Sequence, residues 1–106
     1  MLPANNRLNL RSQPSFFKTA QRQRGRYLVL YYLPAESAQV AVIVPASKVK
    51  SAFRRHQVKR WLRADLSKKL ELMEQKQVVV VLKTLPETGH SGLTRDLEEI
   101  LRKIKS

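Results

Sequence analysis

Ala52-Phe53-Arg54-Arg55-His56-Gln57-Val58-Lys59-Arg60-Trp61-Leu62-Arg63 is followed, thirteen residues later, by Gln77-Val78-Val79-Val80-Val81-Leu82-Lys83. From the first stretch onward, Val58, Leu62, Leu66, Leu70 and Met73 recur at helical spacing and fall within about a third of the helix circumference. This periodicity predicts a helix from about Ala52 to Lys76. Burying each side chain of such a stripe contributes roughly 1.5–3 kcal/mol before ordering entropy is subtracted, enough to dock the helix on a sheet. The four valines then read as a strand buried on both faces. A helix feeding a doubly buried strand implies helices packed on one small mixed sheet, an α+β layer.

Downstream, Leu85–Gly92 reads as a loop containing Pro86, Gly89 and Gly92. Leu93, Leu97, Ile100, Leu101 and Ile104 mark a final amphipathic helix, capped by Ser91 or Thr94. Asp96, Glu98 and Glu99 near its start and Arg102, Lys103 and Lys105 near its end suit the helix dipole. Upstream, Ser12-Gln13-Pro14 resembles a helix start, and Gly25 closes the polar stretch Gln21-Arg22-Gln23-Arg24. Tyr27–Leu33 reads as a strand ended by Pro34, and Gln39–Val44 as a second ended by Pro45. The short link Ala35-Glu36-Ser37 predicts that these two pair as an antiparallel hairpin. The order is α-β-β-α-β-α, with room for another short strand in the first half. One domain over 1–106 is expected.

Charge is spread unevenly. The chain has a formal net charge of +13, of which residues 1–63 hold +12, with Glu36 as their single acid. Between Lys48 and Arg63 seven cations are interleaved with Val49, Phe53, Val58, Trp61 and Leu62, and no acid intervenes. That interleaving describes a folded basic surface rather than a disordered tail, and its partner is a polyanion. The absence of cysteine excludes disulfides, thiolate zinc sites and Cys nucleophiles. Apolar runs are too short for a membrane span, and Met1–Arg7 lacks the order of a signal peptide. A soluble, cytoplasmic protein is expected.

No catalytic constellation emerges. His56 and His90 lack metal-ligand spacing, and His90, between Gly89 and Ser91, is expected to be a solvent-exposed loop residue. The acids on the last two helices are expected on solvated faces. On the basic helix, His56, Arg60 and Arg63 share a face that Lys59 borders, while Arg54 and Arg55 point elsewhere and suit structural roles. Such a row can track phosphates. Phe16, Phe17, Tyr27, Tyr31, Tyr32 and Trp61 lie in the same half, and aromatic faces beside cations suit single-stranded RNA. Tyr27 and Tyr31 would share one strand face, Tyr32 the other. At least one of Phe16 and Phe17 must pack inward for the first helix to dock. A general structured-RNA or ribosome-associated binder fits these features too. A binder of anionic membrane fits less well, because the apolar stripe is needed for the core.

The residues resemble one family in particular, the protein subunit of bacterial ribonuclease P. Leu2-Pro3-Ala4-Asn5-Asn6-Arg7-Leu8 is similar to its opening segment, and Val29-Leu30-Tyr31 to one of its strands. Lys48 to Arg63 resembles the signature Lys-Val-Gly-Lys-Ala-x-x-Arg-Asn-Arg-x-Lys-Arg-x-x-Arg, with Lys50 for the Gly, His56 for the Asn and Gln57 for the second Arg. The resemblance implies a two-layer α/β sandwich in which the signature helix enters through a left-handed crossover. It implies binding to a catalytic RNA subunit and to the 5′ leader of precursor tRNA, with no membrane. The RNA would perform magnesium-dependent hydrolysis, holding most of the magnesium itself. Carried over by position, Lys48, Arg55, His56, Lys59, Arg60 and Arg63 would face RNA. Tyr31 with Phe17 or Phe16 would line the leader cleft.

Overall fold

The computed structural model describes residues 6–10 and 15–105. Helix α1 (Phe16–Thr19) precedes strands β1 (Gln21–Arg24), β2 (Leu28–Pro34) and β3 (Gln39–Ile43). Helix α2 (Ala52–Ser67), a 3-10 turn (Leu70–Met73), strand β4 (Lys76–Leu82) and helix α3 (His90–Lys105) complete the chain. The single sheet has the order β1-β2-β4-β3. β2 runs antiparallel to both β1 and β4, and β3 runs parallel to β4, making the sheet mixed. The α+β layer expected from the periodicity is present.

The expected hairpin is not. β4 inserts between β2 and β3, placing Tyr31 opposite Val79 and Val79 opposite Ala41. A doubly buried valine strand belongs in the middle of a sheet, where both of its edges find partners. Val78, Val79 and Val80 are each fully buried, and this gain outweighs the short link that favoured a local hairpin. α2 is therefore the crossover between the parallel strands β3 and β4.

α2 also ends earlier than its stripe suggests. A helix reaching Lys76 would be about 37 Å long, whereas a seven-residue strand spans about 23 Å. Stopping at Ser67 matches the helix to the sheet it covers. Lys68 and Lys69 then donate to the carbonyls of Asp65 and Leu66, the tighter three-residue spacing of a 3-10 turn. Met73 stays buried through this tighter path. Gln75, with φ of 58°, turns the chain into β4.

At the other end, α1 is only one turn long, and Gln21–Arg24, expected as the tail of a helix, is β1. The suggested start at Ser12 and Pro14 lies outside the described residues. The alternation Gln-Arg-Gln-Arg has the period of a strand, and pairing with β2 puts Arg22 opposite Tyr31. Tyr27 precedes β2 and packs on the main core, so it does not join Tyr31 on the strand face.

One sheet face carries that core. Val58, Leu62 and Leu66 of α2 and Leu93, Leu97, Ile100, Leu101 and Ile104 of α3 pack on Leu28, Leu30, Val40, Val42, Val78, Val80 and Leu82. Two aspartates expected on solvated faces are instead buried, and each is satisfied. Asp96 of α3 accepts from the backbone N–H groups of Arg26 (2.8 Å), Tyr27 (2.9 Å) and Leu28 (3.0 Å). It closes the β1–β2 turn, where a side chain on Gly25 would strike the tips of Asp96 and Ile100. Asp65 of α2 accepts from Thr94 Oγ1 at 2.7 Å and lies 3.0 Å from His90 Nε2. His90 is thus the first residue of α3 rather than a loop residue, stacked on Trp61 with ring centroids 5.1 Å apart. Neither Ser91 nor Thr94 caps the helix, since both lie within it; Ser91 donates to the Thr88 carbonyl and Thr94 to Asp65.

Candidate nucleic-acid interface

α2 starts at Ser51, whose hydroxyl accepts from the Arg54 N–H at 3.2 Å. Arg55 reaches back and donates to the carbonyls of Val49 (2.9 Å) and Lys50 (2.8 Å). This clamp ties the crossover segment to the helix, so part of the Arg55 fork already serves the fold. Arg54 donates to Gln57 and lies over Trp61, 5.1 Å from the ring centre. Both arginines have the structural roles that their positions on the helix suggested.

His56, Arg60 and Arg63 project into solvent, Lys59 is half-buried, and Lys48 is exposed just before the helix. Among the described residues no carboxylate forms an ion pair with Lys48, His56, Lys59, Arg60 or Arg63. Lys59 and Arg63, four apart, repel each other by roughly 0.2–0.5 kcal/mol. The helix therefore carries an uncompensated positive face that its own stability would not select.

A groove of about 690 Å³ opens beside this face. Arg60, Arg63 and Ala64 form one wall, Val40, Ala41 and Val42 the sheet edge, and Arg7 to Leu10 the other wall. The N-terminal segment is held there by a short parallel bridge, in which the Leu8 N–H donates to the Val40 carbonyl at 2.8 Å. Three guanidinium-bearing residues thus surround an apolar floor.

The far face of the sheet holds Phe16, Phe17 and Tyr31, while Tyr27, Tyr32 and Trp61 pack on the main core. Phe16 is only 1% exposed and anchors α1 on Leu8 and Val79, so it is the phenylalanine that packs inward. Phe17 is 45% exposed and meets Tyr31 edge-on, with centroids 5.0 Å apart and planes at 87°. Phe17 and Tyr31 therefore form the accessible pair, with Phe16 beneath them at 5.4 Å from Phe17. The row Arg22–Tyr31–Val79–Ala41 crosses all four strands on this face. It ends at Ala41, which also lines the groove beside Arg60 and Arg63. Between the accessible Phe17–Tyr31 pair and the groove, Val79 is fully buried in a cluster with Phe16 and Leu8, so the aromatic pair and the basic helix form two separate surfaces on one sheet.

A model of the family described as Ribonuclease P matches residues 2–105. The chain belongs to the ribonuclease P protein family. It is 32% identical over 103 residues to the ribonuclease P protein component of Thermus thermophilus, covering 95% of this chain and 62% of that one. It therefore spans less than two thirds of the length of that relative. Among solved structures, a mutant of the Staphylococcus aureus RNase P protein superposes with a TM-score of 0.84 at 16% identity, covering 95% of this chain and 89% of the other. The Thermotoga maritima RNase P protein gives 0.75 at 20%, covering 92% and 96%. These two likenesses concern the fold.

Sequence reasoning missed two cations. Arg22 had a signal in its period-two alternation, which a helical reading of Gln21–Arg24 obscured. Arg7 had its charge and its place in the family-like opening segment, but it reaches the groove beside α2 only through the pairing of the N-terminal segment with β3.

Proposed function

We propose that this chain is the protein subunit of a ribonucleoprotein that removes the 5′ leader from precursor tRNA. The α2 face would lie on the catalytic RNA and the Phe17–Tyr31 face on the leader. One observation carries this reading: an acid-free cationic face on α2 and an accessible aromatic pair, Phe17 and Tyr31, lie on opposite sides of one four-stranded sheet. A ribozyme holding a substrate with a single-stranded leader needs both surfaces on one small protein.

Each surface has a physical task. Lys48, Lys59, Arg60 and Arg63, with the free part of the Arg55 fork, neutralise phosphates and release condensed counterions, and His56 beside them offers a ring N–H to the same RNA. Phe17 and Tyr31 offer ring surface to unpaired bases, worth roughly 1–3 kcal/mol per stacked base. Arg22 lies opposite Tyr31 on the sheet, and Arg7 lines the groove beside α2. The protein binds and aligns, and the hydrolysis belongs to the RNA. Magnesium enters this reading as an ion of the RNA. Among the described residues no three His, Asp or Glu side chains lie together. The buried carboxylates of Asp65 and Asp96 already serve protein donors, so no step is assigned to an ion held by the protein. Among the described residues no helix is long and apolar enough to cross a membrane. In this reading the complex works in the cytoplasm.

The test is reconstitution with the cognate ribonuclease P RNA at low magnesium. Added protein should raise cleavage of precursor tRNA, and Phe17→Ala should blunt the gain from lengthening the leader. RNA binding without any stimulation would instead mark a general RNA-binding module.

A further inference from the structure

Among the described residues two large apolar side chains are exposed, Phe17 at 45% and Phe53 at 75%. Phe17 has Tyr31 and Phe16 as ring partners. Phe53 has no ring or cation stacked on it among the described residues. It does no work for the core, and it occupies a position in the first turn of α2 where any polar residue would be accepted.

Its position on the helix gives it a direction. At 100° per residue, Arg60 falls within about 20° of Phe53, His56 within about 60° and Arg63 within about 80°. Phe53 therefore stands on the phosphate-facing side of α2, about 10 Å along the axis from Arg60. Lys48 and Lys50 are exposed just before it. No acid lies between Glu36 and Asp65 to repel a polyanion or to recruit a basic partner. Of the ligands such a surface can take, RNA offers a flat, uncharged π face on the same chain as phosphates. A ring and two guanidinium groups on one helix face match that alternation.

We propose that Phe53 is a stacking platform for an unpaired base of the bound RNA, adjacent to the phosphates neutralised by Arg60 and Arg63. This rests on the RNA-binding role of α2 and adds to it a contact independent of salt. The experiment measures affinity for the cognate ribonuclease P RNA across a salt series. Phe53→Ala should weaken binding about 5- to 150-fold while leaving the salt slope unchanged, because no phosphate contact is lost. Phe53→Trp should restore affinity, and Phe53→Leu, which keeps apolar bulk without a π face, should not. The thermal midpoint of all three should match the parent, since the ring buries little. Affinity of Phe53→Ala within about twofold of the parent, or Leu performing as well as Trp, overturns the proposal. So does loss of binding to phosphatidylglycerol vesicles with RNA affinity intact, which would place the ring on a lipid surface. The double variant Arg60→Ala, Arg63→Ala separates the two levels. If it weakens binding and Phe53→Ala does not, only the stacking contact fails; if neither does, the RNA-binding role of α2 fails with it.

Discussion

α2 and α3 are both 16 residues long and pack on the same sheet face, yet they use their outer surfaces in opposite ways. α3 buries five aliphatic side chains and balances its exposed charges, with Glu98 pairing to Lys69 at 3.7 Å and to Arg102 at 3.4 Å. α2 buries three aliphatic side chains and turns His56, Lys59, Arg60 and Arg63 outward with no acid among them. Each helix also buries one aspartate, with different reach. Asp96 holds the β1–β2 turn to α3, and Asp65 holds the start of α3 to α2. One helix is built to be stable, and the other is held in place by its neighbours so that its surface can be used.

This contrast can be broken first at Asp96. Asp96→Ala leaves three backbone N–H groups without their acceptor, one of them buried, and should destabilise the fold by about 3 kcal/mol or more. Urea unfolding measures the loss, and RNA affinity corrected for the folded fraction should stay at the parent value. A large drop in that corrected affinity would show that α3 is more than scaffold.

A smaller effect sharpens the contrast from the α2 side. Lys59→Glu converts a repulsive pair with Arg63 into an attractive one in the favourable orientation. Losing the repulsion and gaining the attraction should together stabilise the protein by roughly 0.4–1 kcal/mol while weakening RNA binding. Opposite signs in thermal melting and in RNA titration would show that this face is kept for binding at some cost to stability. A gain in both would contradict it.

The two helices also differ in how far their sequences announced them. The stripe of α3 and the cation row of α2 were legible because local periodicity decides which side chains share a face. The length of α2 was not, since Leu70 and Met73 keep helical spacing while the size of the sheet decides where the helix stops. The valine run announced a doubly buried strand, but its insertion between β2 and β3 is a long-range pairing that no local pattern encodes. Asp65 and Asp96 looked like surface acids because the N–H groups that recruit Asp96, and the His90 and Thr94 partners of Asp65, come from distant segments. For the candidate site, the residue types were readable. The inward turn of Phe16, the partial use of Arg55 by the fold and the approach of Arg7 required tertiary structure.

The claim that the α2 face is the RNA interface is tested most directly by the salt dependence of binding to the cognate ribonuclease P RNA. The parent protein is compared with the double variant Arg60→Ala, Arg63→Ala. Two lost phosphate contacts should lower affinity and flatten the log–log salt slope by about two units. An unchanged slope would contradict the account, because it would mean that the phosphates lie somewhere else.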